Sequence, residues 1–185
     1  GITMIEAESL KTLLEKYGIN FNKLIANNDN AIWKGNYKDI EATLDYLINE
    51  LKIEPRNIEK APSILYLNVL AIRRNVEFLR KQNVSFSSVE TCLHVLNTDP
   101  LQLEETYNYV KDNYGIEYID RITTILKIDV ERIKAIEKFG LNKEITLSAS
   151  IIRISIENIF ANIMICRENN IEPTGSVFQR TSKEL

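Results

Sequence analysis

Glycine and proline are scarce, six and four in 185 residues, which excludes a turn-rich architecture and leaves few or short turns. Cysteine is scarcer: Cys92 and Cys166 stand far apart, with no metal-ligand spacing and no disulfide framework. Both are expected as small buried apolar residues. The single histidine, His94, lies two residues from Cys92. On a helix, side chains two apart diverge by about 200°, so the pair does not make a nucleophile and base. His94 is expected as a partly buried helix residue. Phosphate-binding glycine loops, dinucleotide fingerprints, nucleophile elbows and H-E-x-x-H motifs do not occur, and the sequence reads as no enzyme and as needing no cofactor or metal. Long apolar runs are missing too. The richest stretch, 145–166, is interrupted by Arg153, Glu157, Asn158 and Asn162, a poor membrane span. The start of the chain is acidic and amphipathic, unlike a signal peptide, and Gly1–Thr3 read as a remnant outside the fold. The expectation is a soluble, intracellular protein with no membrane partner. Nor is there a basic excess: 23 basic and 26 acidic residues give a net charge of −3, whereas chains devoted to phosphate are usually basic.

What is present is ordinary globular material, 44% hydrophobic and 26% charged, enough for one domain with a sizeable core. A period runs through it. Ile64–Leu65 recurs as Val95–Leu96 and Ile125–Leu126, at offsets of 31 and 30. Upstream of each pair an apolar anchor ends a helix-period run: Leu47, Leu79 and Val110, offset by 32 and 31. Leu14 stands 33 before Leu47. A fixed period in the thirties marks a helical repeat array. Each unit reads as a long amphipathic helix, a break, a shorter helix and a tight turn. LNVLAIRRNVEFLRKQ shows the long helix, with Ile72, Val76 and Leu79 on one face. Gly18, Asn83 and Gly115 stand at breaks, where a left-handed cap is easily adopted. Pro55 suits a first helical turn, and Thr98-Asp99-Pro100 reads as a cap followed by a first-turn proline. In IEKAPSILYLN, Pro62 pushes Ala61 out of the helical region, so the short helix stops there and Ser63–Leu67 form a tight turn.

The pattern predicts helices at about 4–16, 20–28, 37–51, 55–61, 67–82, 86–96, 100–113, 117–126, 129–139 and 148–169, with a short final helix at 173–183. Ile152, Ile154 and Ile156 alternate as in a strand, but Ile152, Ile156, Ile159 and Ile163 also fit a helix, which the length of the run favours. The fold class is therefore all-α: a helical repeat solenoid of about 31-residue units, forming a single domain over 4–185 with five to six units, its C-terminal part acting as a cap.

IEKAPSILYLN followed by NVEFLRKQNVSFSSV resembles the mTERF repeat of mitochondrial and chloroplast transcription termination factors. The shared features are a short helix ending in P-x-I-L, a long helix ending in F-L, and an apolar restart. The resemblance covers about residues 10–180 and implies units of two helices and a short third turn, stacked into a curved solenoid. It also implies nucleic-acid binding along an inner groove. The resemblance is to a divergent and net acidic version of that pattern, which keeps the proline at Ala61–Leu65 alone.

The basic residues follow the second quarter: residues 51–100 carry seven basic and five acidic side chains. Arg73, Arg74, Arg80 and Lys81 share one long helix, and Lys111, Arg121, Lys127, Arg132 and Lys143 lie in later units. Lys81, Lys111 and Lys143 are spaced by 30 and 32, which suggests a ladder along stacked helices. These nine are the candidate contacts to DNA or RNA phosphates. Alternatively they are solubilising charges paired with neighbours, such as Glu77 four before Lys81. Tyr107, Tyr109, Tyr114 and Tyr118 either stack bases or fill a packing seam with wet hydroxyls. Trp33, in the loop NNDNAIWKGN, either staples that loop or anchors a partner. Two functions remain open: a nucleic-acid-binding repeat protein regulating transcription or a nucleoprotein complex, and a protein-interaction scaffold using a concave solenoid surface.

Overall fold

A computed structural model describes residues 4–28, 35–86 and 93–179, and every regular element among them is helical. Trp33 and Cys92 lie outside the described residues, as does most of the helix expected at 86–96. The chain divides into two compact units, Gly1–Glu104 and Glu105–Leu185.

The first unit begins with α1 (Met4–Lys16), α2 (Phe21–Asn28) and α3 (Tyr37–Leu44), the last continuing into a π turn, Asp45–Glu50. Then come α4 (Pro55–Lys60), a 3₁₀ turn (Pro62–Tyr66), α5 (Val69–Lys81) and a second 3₁₀ turn (Leu93–Asn97). The long helices start on side-chain caps. Asn36 Oδ1 accepts from the Lys38 amide at 2.9 Å, and Asn68 Oδ1 from Leu70 at 2.8 Å. They end on residues with positive φ: Gly18 (83°), Lys52 (60°) and Asn83 (58°). There the chain reverses, and the following amide bonds back to the buried anchor. Ile19 N donates to Leu14 O and Val84 N to Leu79 O, both at 3.0 Å. Lys52 carries no glycine-like signal. The π turn adds one residue between Leu47 and Lys52 relative to Leu79 and Asn83, and the Leu51 amide reaches Tyr46 O at 2.9 Å.

Pro62 acts at the boundary as its sequence suggests. α4 stops at Lys60, and Ala61 sits at φ −135°, ψ 57°. The recurrent pairs Ile64–Leu65 and Val95–Leu96 are fully buried, each inside a 3₁₀ turn. The two turns pack on each other, and Asn97 Nδ2 donates to Ser63 Oγ at 3.0 Å. Buried polar groups tie the helices together. Asn75, midway along α5, donates to the carbonyls of Leu96 (2.9 Å) and Thr98 (2.7 Å). The buried Glu59 carboxylate accepts from the Asn20 amide at 2.9 Å.

α6 (Pro100–Tyr114) crosses the division between units, and Asp99 Oδ1 accepts from the Leu101 amide at its start. The second unit continues with α7 (Ile116–Arg121), a 3₁₀ turn (Thr123–Lys127) and α8 (Val130–Glu137). Then follow α9 (Lys143–Thr146), α10 (Ala149–Ile152), α11 (Ile156–Glu168) and a final 3₁₀ turn (Gly175–Gln179). The plan of the first unit recurs. Gly115, Gly140 and Asn170 take positive φ. The pair Ile125–Leu126 is fully buried in its 3₁₀ turn. Thr106 Oγ1 donates forward to Ile128 O at 2.7 Å. Ile136, Ile151, Ile159, Ile163 and Cys166 form the core with Val177 and Phe178.

Three sequence expectations need correction. Val95–Leu96 and Ile125–Leu126 lie in 3₁₀ turns and not in α-helices. Ile122 takes φ −129°, ψ 70°, nearly the Ala61 conformation, without any proline to impose it. The helix expected over 148–169 is two helices, broken at Arg153–Ser155. Ser155 Oγ caps α11 by accepting from the Asn158 amide at 3.1 Å. The Arg132 guanidinium binds the carbonyls of Ile152 and Ile154 that the break leaves free. The final helix expected at 173–183 is a 3₁₀ turn as far as it is described.

Candidate nucleic-acid interface

α5 carries four of the candidate cations, Arg73, Arg74, Arg80 and Lys81. Arg73 and Arg80 are two turns apart and share one side, and Arg74 and Lys81 share the side next to it. The Arg73 guanidinium stacks on Tyr46, 4.2 Å from the ring centre, and bonds the Glu50 carboxylate at 3.0 Å. Arg80 lies 5.0 Å over Phe86. Burial pushes the Tyr46 phenol above its ordinary value, while the fields of Arg73 and Arg80 pull it back, so both guanidiniums stand near that ring. Arg74 and Lys81 are exposed and join no ion pair among the described residues, Glu77 included. Arg80 and Lys81 also occupy the last turn of α5, where cations favour the helix dipole.

In the second unit the tyrosines build a cluster around one carboxylate. Glu137, at the end of α8, accepts from the Tyr109 hydroxyl at 2.5 Å and from the Tyr114 hydroxyl at 2.7 Å. The bond to Glu137, with burial second, pushes the Tyr109 phenol up to about 12. Burial, then the same carboxylate, pushes Tyr114 upward. Burial also raises Tyr118, with Arg121 pulling it back. The Tyr114 and Tyr118 rings lie 5.8 Å apart, and the Tyr118 hydroxyl finds no hydrogen-bond partner among the described residues. Tyr107 and Tyr118 are thus buried in the packing, while Tyr109 and Tyr114 are half-buried with their hydroxyls held by Glu137.

Cations sit on rings of this cluster. Lys134 lies 5.7 Å over Tyr109, Lys143 5.2 Å over Tyr114, and Arg121 5.6 Å over Tyr118. Lys143 and Glu137 also line a cleft of about 280 Å³ with Asn113, Tyr114, Leu141 and Thr146. Of the remaining candidates, Lys111 is exposed in the last turn of α6, and desolvation lowers the Lys127 ammonium below its ordinary value. Arg132 is committed to backbone carbonyls and belongs to the fold. Lys81 falls in the first unit and Lys111 and Lys143 in the second.

Sequence spacing located the cations but not their aromatic seats, nor Glu137. Arg121 and Tyr118 are three apart in α7, a local pair, but the seats of Arg73 on Tyr46 and of Lys143 on Tyr114 join residues of different elements, and no local pattern records that. His94 is half-buried in a 3₁₀ turn, and Cys166 is buried, its thiol raised by desolvation. Among the described residues, no three His, Cys, Asp or Glu side chains are grouped to hold a metal ion. No helix of the described residues is long and apolar enough to cross a membrane. Comparison with protein-family models, curated proteins and solved structures found no match for the chain.

Proposed function

We propose that the chain is a nucleic-acid-binding helical repeat protein of mTERF-like plan, a solenoid that regulates transcription or a nucleoprotein complex rather than an enzyme. Two things support the repeat. Caps at Asn36, Asn68, Asp99 and Asp129 recur every 30 to 32 residues, and buried pairs in 3₁₀ turns recur with them. The observation that carries the binding function is the seating of the cations. Arg73, Arg80, Arg121 and Lys143 rest on aromatic rings, and of these only Arg73 is paired with a carboxylate among the described residues. A cation held on a ring keeps its charge available and has less side-chain freedom left to lose when a phosphate arrives. A mixed panel of single- and double-stranded DNA and RNA, titrated at low salt, tests this. Binding should appear and weaken steeply as salt rises. No binding at low salt to any member of the panel sinks the reading.

The second reading, a protein-interaction scaffold, rests on a different surface. Leu70 and Leu101 are 31 residues apart, each two positions past a helix cap, and they are 68% and 59% exposed. Exposed leucines in matching places of successive units suit an apolar partner better than a phosphate backbone. Loss of a co-purifying protein on changing both to serine, with nucleic-acid binding intact, would favour this reading over the first.

A further inference from the structure

α11 is apolar on more than one side. Ile159, Ile163 and Cys166 enter the core of the second unit. Phe160 and Met164, one turn apart, face elsewhere and are 56% and 36% exposed. Two charged residues complete their row: Glu157, three before Phe160, and Arg167, three after Met164, both exposed. Spacings of three, four and three put all four on one stripe of the helix. Neither Glu157 nor Arg167 makes an ion pair among the described residues.

The order along this stripe is acid, aromatic, thioether, base, and it is symmetric in position. Glu157 and Arg167 lie five residues either side of Asn162, and Phe160 and Met164 lie two either side, while Asn162 itself is buried. A two-fold axis relating antiparallel helices sets each residue opposite the one equally far from the midpoint on the other copy. Applied here, Glu157 of each chain meets Arg167 of the other, and Phe160 of each meets Met164 of the other. Both contacts are favourable, one by charge and one by the attraction of a thioether for an aromatic ring. A parallel pairing would instead set Glu157 against Glu157 and Arg167 against Arg167.

We propose that this stripe of α11 is a self-complementary interface and that its occupant is a second copy of the chain, related by a two-fold axis. One helical stripe falls at the small end of interface areas, below about 1,200 Å² in total, so the dimer is weak and concentration-dependent. The four side chains lie outside the core, which leaves them open to substitution without unfolding the unit.

Sedimentation of the full chain over a wide concentration range is the test. The wild type should pass from monomer to dimer. Glu157→Arg alone, or Arg167→Glu alone, brings like charges together twice per dimer and should weaken association about tenfold. The combined change Glu157→Arg with Arg167→Glu restores opposite charges and should return association to near the wild-type level. Phe160→Asp should leave a monomer, with an unchanged circular dichroism spectrum confirming the fold. A wild type that stays monomeric at every concentration overturns the proposal. So does a dimer that ignores all four variants, or a double reversal no better than either single one.

Discussion

At the scale of single residues, Glu137 couples two phenols to the fold. Tyr109 ionises at about 12 in the folded chain and at about 10 when unfolded, because its proton is held against a carboxylate. The sign follows from linkage. A pKa raised by folding contributes stability that is fully present below the unfolded value and is lost as pH climbs through the folded one. Stability should therefore hold to about pH 10 and fall between there and about pH 12. Glu137→Gln should shift the tyrosinate absorbance transition toward ordinary phenol values. A transition unmoved by that change would remove Glu137 as its cause. Lys52 offers a second test. It holds φ 60° at the end of the π turn, a conformation that costs a side-chain-bearing residue about 1 kcal/mol relative to glycine. Lys52→Gly should raise the urea midpoint by an amount equivalent to about 0.5–1 kcal/mol. A lower midpoint would mean that the lysine side chain contributes more than its strained backbone costs.

At the scale of elements, the buried polar residue midway along a long helix holds the turn that follows it. Asn75 bridges the carbonyls of Leu96, inside the second 3₁₀ turn, and Thr98, just past it, and Thr106 reaches Ile128, just past the next turn. Asn75→Leu leaves both carbonyls unpaired in the interior and should destabilise the chain by about 2–3 kcal/mol in urea unfolding. A neutral result would show that the turn is held by its apolar pair alone. Pro62 makes the opposite case. Ile122 adopts the Ala61 backbone ahead of Thr123, whose hydroxyl donates to Ile119 O at 3.1 Å. Pro62→Thr should therefore keep the turn and cost less than about 1.5 kcal/mol, measured by thermal unfolding. A larger loss would make the proline itself the cause of the break. The proline flagged the end of the short helix in the sequence, but the buried pair after it is what recurs. The break at Arg153–Ser155 was not legible locally. SASIIRISIEN keeps helical spacing across it, and the guanidinium that stabilises the freed carbonyls comes from Arg132, some twenty residues earlier.

At the scale of the whole molecule, the net charge of −3 conceals local cationic surface. Arg74 and Lys81 are the cleanest probes of the proposed function, because both are exposed and outside every ion pair and ring contact described. If they meet phosphates, Arg74→Ala with Lys81→Ala should weaken nucleic-acid binding and lower the slope of log affinity against log salt by about one per residue, with an unchanged melting temperature. An unaltered slope would take α5 out of the interface. Arg132→Ala should do the reverse, lowering stability through the loosened break, since its guanidinium already serves Ile152 and Ile154.

The sequence by itself determined that the described residues are helical, where helices such as α1 and α5 begin and end, and which apolar residues recur inward. Those properties depend on neighbours within a turn or two: a cap at Asn68, a left-handed Asn83, an anchor at Leu79. Only the tertiary structure decided that the recurrent pairs close 3₁₀ turns and that a continuous helical pattern pauses at Ser155. It also decided which cations rest on rings and which, like Arg132, serve the backbone. The physical reason is range. Asn75, Thr106, Arg132, and the seats of Arg73 and Lys143 all depend on partners some twenty residues or more away, and a periodic sequence carries the positions of its residues without their pairings.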